Sequence, residues 1–397
     1  MEDVPVMKRL LRTVMCVLLV LSLAACGGEK PNSQTKEPDT GAAAPAEGTK
    51  SEAKAGGLKI AYSIGYVGNA WRSQLVSSLE EAAEAYKADG TIAEFQVVSA
   101  DNDSTTQISQ CNAMLAEGLD ALLICAVSPT TLASVVETAN EMGTLVILSN
   151  DPAVYDGTYC VVNNAVSYTS LIDRWFATKV PSGSNIVYIS GNPGNATDML
   201  RDETVYSDIE KYGWNLIGEA PGKRNQAEAQ TVMTSFLSAY SGIDGVLCQN
   251  TTFEGVAHAY ENAGKPLPVV GGDSVLSTLR LWSTMEDYET IGVTNSPAIS
   301  VASLHFAVLM LQGYELQEGV LEANPLEPSL VNTVAVDPPV AITIDGKLPE
   351  DILADYPLLT VLSRDEALEL YADKEDTYIP DASMSREDAI KTWFKEK

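Results

Sequence analysis

The chain has 397 residues, enough for two domains of ordinary size, and its 45% hydrophobic and 20% charged residues are typical of a globular protein. Its formal net charge is −29, from 54 acidic and 25 basic residues. Binding to nucleic acid or to an anionic lipid surface needs clustered lysine and arginine, so this balance excludes both as electrostatic partners.

The N-terminus predicts an export signal. The stretch MKRLLRTVMCVLLVLSLAAC (7–26) has a basic start, a short apolar core and small residues at its end. Its apolar core is too short for a spanning helix. Its last four residues, LAAC, resemble the bacterial lipobox, whose cysteine becomes the lipid-modified first residue of the mature protein. We expect a lipoprotein signal peptide over 1–26 with lipid attached at Cys26. An ordinary signal peptide with a coincidental cysteine is the alternative.

The next segment, 27–57, is rich in Gly, Pro, Ala, Ser and charge, and it holds no aromatic or β-branched aliphatic residue. Such a segment cannot bury enough apolar surface to offset the entropy lost on ordering. We therefore expect a disordered tether that holds a folded body away from the membrane.

From residue 58, short apolar runs alternate with longer amphipathic runs. The first strands are predicted at 58–64, 95–100, 121–127, 144–150 and 159–163. Helices are predicted between them at 71–88, 104–118 and 128–143, with N-caps at Ser104 and Ser128 and C-caps at Gly118 and Gly143. Because the strands are almost continuously apolar, we expect a parallel sheet covered by helices on both faces.

The same alternation restarts after residue 180. Strands are predicted at 185–190, 214–219, 245–250 and 268–273, with helices near 198–211, 225–240 and 252–263. Another strand and helix follow over 290–313, and the tail holds one strand candidate, VAITIDG, and a terminal helix capped by Ser385. Two successive βα runs predict an α/β protein with two Rossmann-like lobes, each built on a parallel sheet.

In open parallel sheets, ligands bind at the carboxyl ends of the strands. In this chain those positions are rich in Asn, Asp and Gly, and Trp71 follows the first strand. An asparagine side chain both donates and accepts hydrogen bonds and an ionised aspartate accepts them, which matches the hydroxyl groups of a polyol. An indole ring can cover the CH face of a sugar. The loops therefore favour a hydroxyl-rich ligand.

Motifs for catalysis and for metal binding are not found in the sequence. The two histidines, His258 and His305, lie among apolar neighbours in helical segments, and we interpret them as surface or packing residues. The stretch DNDST (101–105) begins like a calcium loop but lacks the required Gly and Glu, so a helix N-cap explains it better. The loop GNPG (191–194) could hold a phosphate, but alone it is a weak signal. We expect no catalytic residue, no metal and no cofactor.

Two of the six cysteines, Cys16 and Cys26, belong to the signal. The other four lie in apolar segments, with no CxxC motif and no nearby histidine: Cys111, Cys125, Cys160 and Cys248. We expect buried free thiols, and a disulfide is the alternative in an exported protein.

The ordered series of strand-end loops resembles the type I periplasmic binding proteins, the sugar-binding lipoproteins of bacterial ABC importers in the ribose and galactose branch. The resemblance covers about 58–335 and is carried by IAYSIGYVGNAWRSQL, EGLDALLICAVSP, VILSND, SGNPGNATDMLR, QNTT, VVGGDS and VTNSP. It implies two lobes joined by a three-strand hinge. The N-terminal lobe would comprise 58–163 plus 296–330, and the C-terminal lobe with the tail would comprise 164–295 plus 331–397.

The resemblance also implies a set of ligand-binding residues. These are Asn69, Trp71, Arg72, Asn150, Asp151, Arg201, Arg224, Asn250, Asp273 and Asn295. Asp273 would accept hydrogen bonds from paired hydroxyls. The chain departs from the family pattern at Asn150–Asp151 and at Cys125, which, with the arginines, points away from plain ribose and suits an unusual or even acidic sugar. Each residue also has a structural interpretation, as a cap, a turn residue, a packing residue or a surface charge.

The expected function is capture of a simple sugar or polyol between two closing lobes and its delivery to an ABC permease. We expect a monomer held to the outer face of the cytoplasmic membrane by lipid alone, with no nucleic-acid partner. The alternatives are a surface receptor for a nucleoside or signalling molecule and an exported enzyme on the same scaffold. A transcription repressor with this fold is excluded by the lipobox and by the absence of an N-terminal helix-turn-helix.

Overall fold

The computed structural model describes residues 56–249, 251–272 and 274–396. The predicted signal peptide, Cys26 and all of the tether except Gly56 and Gly57 lie outside the described residues. Within these ranges, no helix combines the length and the hydropathy needed to cross a membrane.

Strands and helices alternate along most of the described chain. From 58 to 177 the elements are β1 Leu58–Ile64, α1 Ala70–Ala88, β2 Ile92–Ser99, α2 Ser104–Ala116, β3 Ala121–Cys125, α3 Ala133–Met142, β4 Leu145–Asn150, β5 Thr158–Asn163 and α4 Ala165–Ala177. From 185 to 283 they are β6 Asn185–Ser190, α5 Ala196–Tyr212, β7 Asn215–Pro221, α6 Gln226–Ala239, β8 Gly245–Cys248, α7 Phe253–Asn262, β9 Val269–Gly272 and α8 Leu276–Ser283. From 291 onward they are β10 Ile291–Val293, α9 Ile299–Leu311, β11 Glu322–Asn324, β12 Glu327–Val336, β13 Val340–Thr343, α10 Glu350–Leu353, β14 Thr360–Ser363, α11 Arg364–Leu370 and α12 Arg386–Trp393.

These strands form two sheets of seven, as the α/β prediction required. The first has the order β11-β12-β5-β4-β3-β1-β2, and its neighbouring strands are parallel except for the pair β11–β12. The second has the order β14-β13-β10-β9-β8-β6-β7, parallel except for the pair β10–β13. We call the part built on the first sheet the first lobe and the part built on the second sheet the second lobe.

The strand order marks where a ligand site belongs. In the first sheet β1 lies between β2 and β3, with Ile60 opposite both Phe95 and Ala121. In the second sheet β6 lies between β7 and β8 in the same way. The direction of winding reverses at β1 and at β6, and such reversals open a crevice beyond the carboxyl ends of the strands. The loops after β1 and β6 therefore lie at the expected crevice of each lobe.

Helix starts differ from the predicted serine caps. The N-cap of α2 is Asp103, whose side chain accepts a hydrogen bond from a backbone N–H of the first turn, so Ser104 is the first helical residue instead. This cap also accounts for the stretch that begins like a calcium loop. The predicted cap at Ser128 is wrong, because α3 begins after Leu132 without a side-chain cap. The Leu132 N–H donates instead to the Tyr155 hydroxyl, at 2.8 Å.

Other boundaries agree more closely. Gly143 is the C-cap of α3, in the left-handed conformation that glycine adopts without steric cost, as predicted. Gly118 follows the C-cap of α2, which is Glu117. Ser385 caps α12 as predicted, since its side chain accepts from the Asp388 N–H.

The core of the first lobe is centred on α9, which is buried from Ile299 to Leu309. The terminal helix α12 packs on it: the rings of Trp393 and Phe394 lie 6.0 and 5.6 Å from the ring of Phe306. The sequence analysis assigned all of 331–397 to the second lobe. That assignment does not hold at either end of the range. Residues 331–336 belong to β12 of the first sheet, and the apolar face of the terminal helix is buried in the core of the first lobe.

Over the described residues, the chain changes sheet at three places. It leaves the first sheet after β5, returns between β10 and α9, and leaves again between β12 and β13. Asn163, at the first of these places, donates to the main-chain oxygen of Ser296 at the second, at 3.0 Å. The first two connections are thus joined to each other directly, close to the carboxyl ends of both sheets.

Candidate functional site

A cavity of about 450 Å³ lies between the loops at the carboxyl ends of the two sheets. Its described lining residues are Tyr66, Asn69, Ala70, Trp71, Arg72, Asn150, Asp151 and Asn163 from the first lobe, Asn195, Thr197, Arg201, Arg224, Gln226, Thr251, Glu254, Val275 and Ser277 from the second, and Asn295, Thr377 and Ile379 from connecting segments. Eight of the ten predicted site residues are among them. The other two, Asn250 and Asp273, lie outside the described residues.

The start of α1 positions the aromatic side of the cavity. Asn69 caps the helix, because its side-chain oxygen accepts from the Arg72 N–H at 2.9 Å. The first turn therefore begins directly after β1 and carries Trp71 and Arg72 at the cavity. The half-buried indole of Trp71 donates from Nε1 to the main-chain oxygen of Asn295 at 2.8 Å. This bond fixes the ring against the connection between β10 and α9.

Arg72 lies among groups of the first lobe. Its Nη1 donates to Cys125 Sγ at 3.1 Å, its Nη2 lies 3.9 Å from Asp151 Oδ2, and its guanidinium carbon lies 4.6 Å from the ring centre of Tyr66. Burial acts to lower the pKa of Arg72, but Cys125 and Asp151 outweigh it and the net shift is upward. Burial raises the pKa of the Cys125 thiol to about 11, so this sulfur is protonated at neutral pH.

The second lobe contributes a buried charged cluster. Arg201 and Asp198 are each 1% exposed and lie one turn apart on α5, with Arg201 Nη1 3.9 Å from Asp198 Oδ1. Arg224 donates to the same carboxylate oxygen through Nε, at 3.0 Å, and through Nη2. Arg201 also donates from Nη2 to the side-chain oxygen of Asn295 at 2.8 Å, and its guanidinium lies 4.3 Å from the ring centre of Tyr168. Burial lowers the pKa of Arg201.

Three residues at the cavity have left-handed backbone conformations. The φ angles are 75° at Asn150, 53° at Arg224 and 64° at Thr251. Asparagine adopts this region more readily than most residues, but a β-branched threonine does so only under strain. Strained backbone tends to concentrate at ligand sites, where the surrounding structure holds it in place. The conformations of these loops are therefore consistent with a binding site.

Sequence reasoning missed several lining residues. Tyr66 is the second residue after β1, so its position could have been inferred from the strand alone. Gln226 and Glu254 lie in the first turns of α6 and α7, where a polar residue has no distinctive signal. Thr377 and Ile379 come from the tail beyond α11, and no local pattern links them to a strand end.

The histidines and the described cysteines have the surface and packing positions that the sequence analysis expected. His258 is exposed on α7, whereas His305 is buried between the Tyr86 hydroxyl at 2.8 Å and the Met384 main-chain oxygen at 3.1 Å. Burial lowers the pKa of His305 to about 4, so it is neutral at physiological pH and serves packing. The four described cysteines are buried free thiols, as the sequence analysis expected.

Comparisons with known proteins all find binding proteins of one kind. A family model described as periplasmic binding protein domain matches residues 60–315. The ribose import binding protein RbsB of Bacillus subtilis is 25% identical over 268 residues, which is 66% of this chain and 82% of the relative. The xylitol-binding protein of Mycolicibacterium smegmatis is 25% identical over 259 residues, 64% of this chain and 73% of the relative. A solved ABC transporter solute binding protein from Bacillus halodurans, with bound myo-inositol, superposes at a TM-score of 0.56 and 21% identity over 71% of this chain and 94% of that one.

Proposed function

Because this chain belongs to the periplasmic binding protein domain family and has its type I fold of two parallel-dominated sheets, we propose that it binds a neutral sugar or polyol for an ABC importer. The observation that carries the proposal is the cavity of about 450 Å³ lined from both lobes at the strand ends. Its volume is in the usual range of small-molecule sites. The family is one of exported binding proteins, which argues against the enzyme alternative.

The lining suits a hydroxyl-rich ligand. Amide side chains at Asn69, Asn150 and Asn295 offer both donors and acceptors, as each hydroxyl group requires. Trp71 offers an aromatic face for the CH groups of a ring or chain. The relatives named above are called ribose-import and xylitol-binding proteins, and the similar structure holds myo-inositol, so each is associated with a neutral polyhydroxyl compound.

The charge balance of the cavity favours a neutral ligand over the acidic sugar considered from the sequence. Among the described lining residues, Arg72 lies beside Asp151, and both Arg201 and Arg224 lie beside Asp198. Each guanidinium thus already has a carboxylate neighbour within the protein. An acidic ligand would have to compete with these carboxylates, whereas a hydroxyl can accept from the remaining N–H groups and donate to the carboxylate oxygens.

The arrangement of two lobes suggests how ligand binding changes the protein. A ligand that contacts loops of both lobes favours the arrangement in which the lobes approach, by the difference in its affinity for the closed and open states. We propose that the permease recognises the closed arrangement. We also propose that 58–163 plus 296–336 form the N-terminal lobe and that the second βα part, 164–295, belongs to the C-terminal lobe. We propose in addition a monomeric protein and attachment to the outer face of the cytoplasmic membrane through lipid on Cys26 and the tether 27–57.

Isothermal titration calorimetry of the purified protein tests the ligand class. The panel is D-ribose, xylitol and myo-inositol as neutral polyols, D-glucuronate as an acidic sugar, and adenosine as a nucleoside. We expect saturable binding of at least one neutral polyol, no comparable binding of glucuronate or adenosine, and no product when the titrated solution is analysed by chromatography. Binding of adenosine alone would favour the nucleoside receptor instead. Conversion of any of these compounds to a product would favour the exported enzyme.

A further inference from the structure

The tail beyond α11 runs back to the cavity and is attached to the second lobe at the start of α8. The Ser277 N–H donates to the Asp376 oxygen at 2.8 Å, and the Leu276 N–H donates to the Tyr378 oxygen at 2.9 Å. The first N–H groups of a helix have no partner inside the helix, and α8 has no side-chain cap. The tail therefore supplies the missing acceptors, which explains why this segment is bound here.

The next residue of the tail is attached to the first lobe. Gln74, on α1, donates from Nε2 to the Ile379 oxygen at 2.9 Å and accepts from the Ile379 N–H through Oε1 at 3.0 Å. Both backbone polar groups of Ile379 are thus paired with one side chain, which stands three residues after Trp71 on the same helix.

The tail is then bound to the connection between the lobes. The Thr294 hydroxyl donates to the Pro380 oxygen at 2.6 Å. The Asp381 carboxylate accepts from the Ser296 hydroxyl and from the Ala298 N–H, both at 2.9 Å. Beyond this point the chain enters the first lobe through α12. The segment 376–384 is therefore a fourth connection between the lobes, beside the three at which the chain changes sheet.

The same segment forms part of the cavity wall. Ile379 and Thr377 both line the cavity, and Ile379 is one of its few aliphatic lining residues in the described chain. The match to the family model ends at residue 315, so these two residues lie outside the matched region.

We propose that the tail segment 376–384 is part of the binding site: it restrains the opening of the two lobes, and it places Ile379 as an apolar wall that contacts the ligand. The restraint follows from the contacts alone, whereas the ligand contact rests on the proposed function. Gln74 acts as a positioning residue, since it reaches the ligand site only through Ile379.

The restraint is tested without ligand, by pulsed electron paramagnetic resonance on the full chain. Spin labels at Val67→Cys and Met199→Cys report the distance between the lobes, because these side chains are 38% and 52% exposed on the loop after β1 and on α5. The four described native cysteines are buried, and Cys16 and Cys26 are replaced by serine in all samples, so labelling is selective. We expect Gln74→Ala to lengthen and broaden the distance distribution.

A matched control is Gln317→Ala. Gln317 also donates to main-chain oxygens near the C-terminus, of Lys391 at 2.9 Å and Phe394 at 2.7 Å, but these contacts lie within the first lobe. The control should leave the distribution unchanged. Equal distributions in Gln74→Ala and in the unsubstituted protein would overturn the restraint.

The wall is tested by calorimetry with whichever of D-ribose, xylitol and myo-inositol binds the unsubstituted protein. Ile379→Ala should weaken binding about tenfold, because loss of apolar contact in a pocket has an effect of this order. Leu370→Ala, which truncates a tail leucine that is 61% exposed, should not change the affinity. Unchanged affinity in Ile379→Ala would show that Ile379 does not contact the ligand, against the proposal. If none of the three polyols binds, the proposed function fails, and the distance measurement alone decides the fourth connection.

Discussion

The indole of Trp71 donates a 2.8 Å hydrogen bond to the main-chain oxygen of Asn295, although the two residues are 224 positions apart. The Asn295 side-chain oxygen in turn accepts from Arg201 of the second lobe. One residue in the connection between β10 and α9 therefore links the aromatic side of the cavity to the buried charged cluster. Changes on either side should affect ligand affinity through this link.

The first prediction separates the two roles of Trp71. Trp71→Phe keeps an aromatic face but removes the hydrogen bond to Asn295 that fixes the ring. We expect it to weaken binding by at most roughly fivefold, the equivalent of one net hydrogen bond of about 1 kcal/mol. Trp71→Ala removes the ring as well and should weaken binding further, because stacking area is also lost. The dissociation constant of a bound polyol, measured by calorimetry, checks this order. Equal affinities for Trp71→Ala and the unsubstituted protein would show that the ring does not face the ligand.

The second prediction concerns Asp198, which is 1% exposed and lies beside both Arg201 and Arg224. Asp198→Asn leaves two guanidinium groups without their shared counter-charge, and one of them is buried. Removing one partner of a buried ion pair costs about 3 kcal/mol. Urea unfolding followed by tryptophan fluorescence measures the change in the free energy of unfolding. The comparison variant is Asp151→Asn, whose side chain is 33% exposed, and its cost should be below about 1 kcal/mol.

The third prediction concerns the buried carboxyl of Asp173. Burial, reinforced by the negative charge of Asp208, raises the pKa of Asp173 well above its usual range. Because the folded state then holds a proton that the unfolded state releases, the contribution of Asp173 to stability is fully present below the unfolded pKa of about 4 and is lost as the pH rises toward the folded pKa. In Asp173→Asn the side chain is a neutral amide at every pH, so this loss of stability with rising pH does not occur.

Thermal unfolding between pH 4 and pH 8 tests this. Asp173→Asn should raise Tm by about 2–4 °C at pH 7 and by less at pH 4. Asp373→Asn, at an aspartate whose side chain is 78% exposed, is the control and should follow the unsubstituted protein at each pH. A decrease in Tm at pH 7 for Asp173→Asn would contradict the raised pKa.

The fourth prediction uses the strained backbone of Thr251, whose φ is 64°. Glycine adopts this conformation without a steric penalty, so Thr251→Gly should stabilise the fold by about 1 kcal/mol. Because Thr251 lines the cavity, the same change should weaken ligand binding. Unfolding in urea and calorimetry on the same sample measure the two effects. Destabilisation would mean that contacts of the threonine side chain outweigh the relief of strain.

Much of the site could be located from the sequence because the fold concentrates function at one kind of position. The loop after β1, which precedes Trp71 and Arg72, and the loop after β6, which precedes Arg201, could be located once the strands were recognised. Their role in binding a ligand is still a prediction. The helix caps were harder to predict. Asp103 and Ser104 are both good N-cap residues, and only the backbone geometry shows that Asp103 is the cap.

The sequence by itself determined the order of strands and helices, the two-sheet architecture and eight of the twenty described residues that line the cavity. These follow from hydrophobic periodicity and from the rule that ligands meet strand ends. Only the tertiary structure decided that Arg201 and Arg224 share Asp198, that Gln74 binds Ile379, and that the terminal helix packs in the first core. Gln74 and Ile379 are 305 residues apart. A contact over that separation depends on how completed elements pack, and no local pattern of residues encodes it.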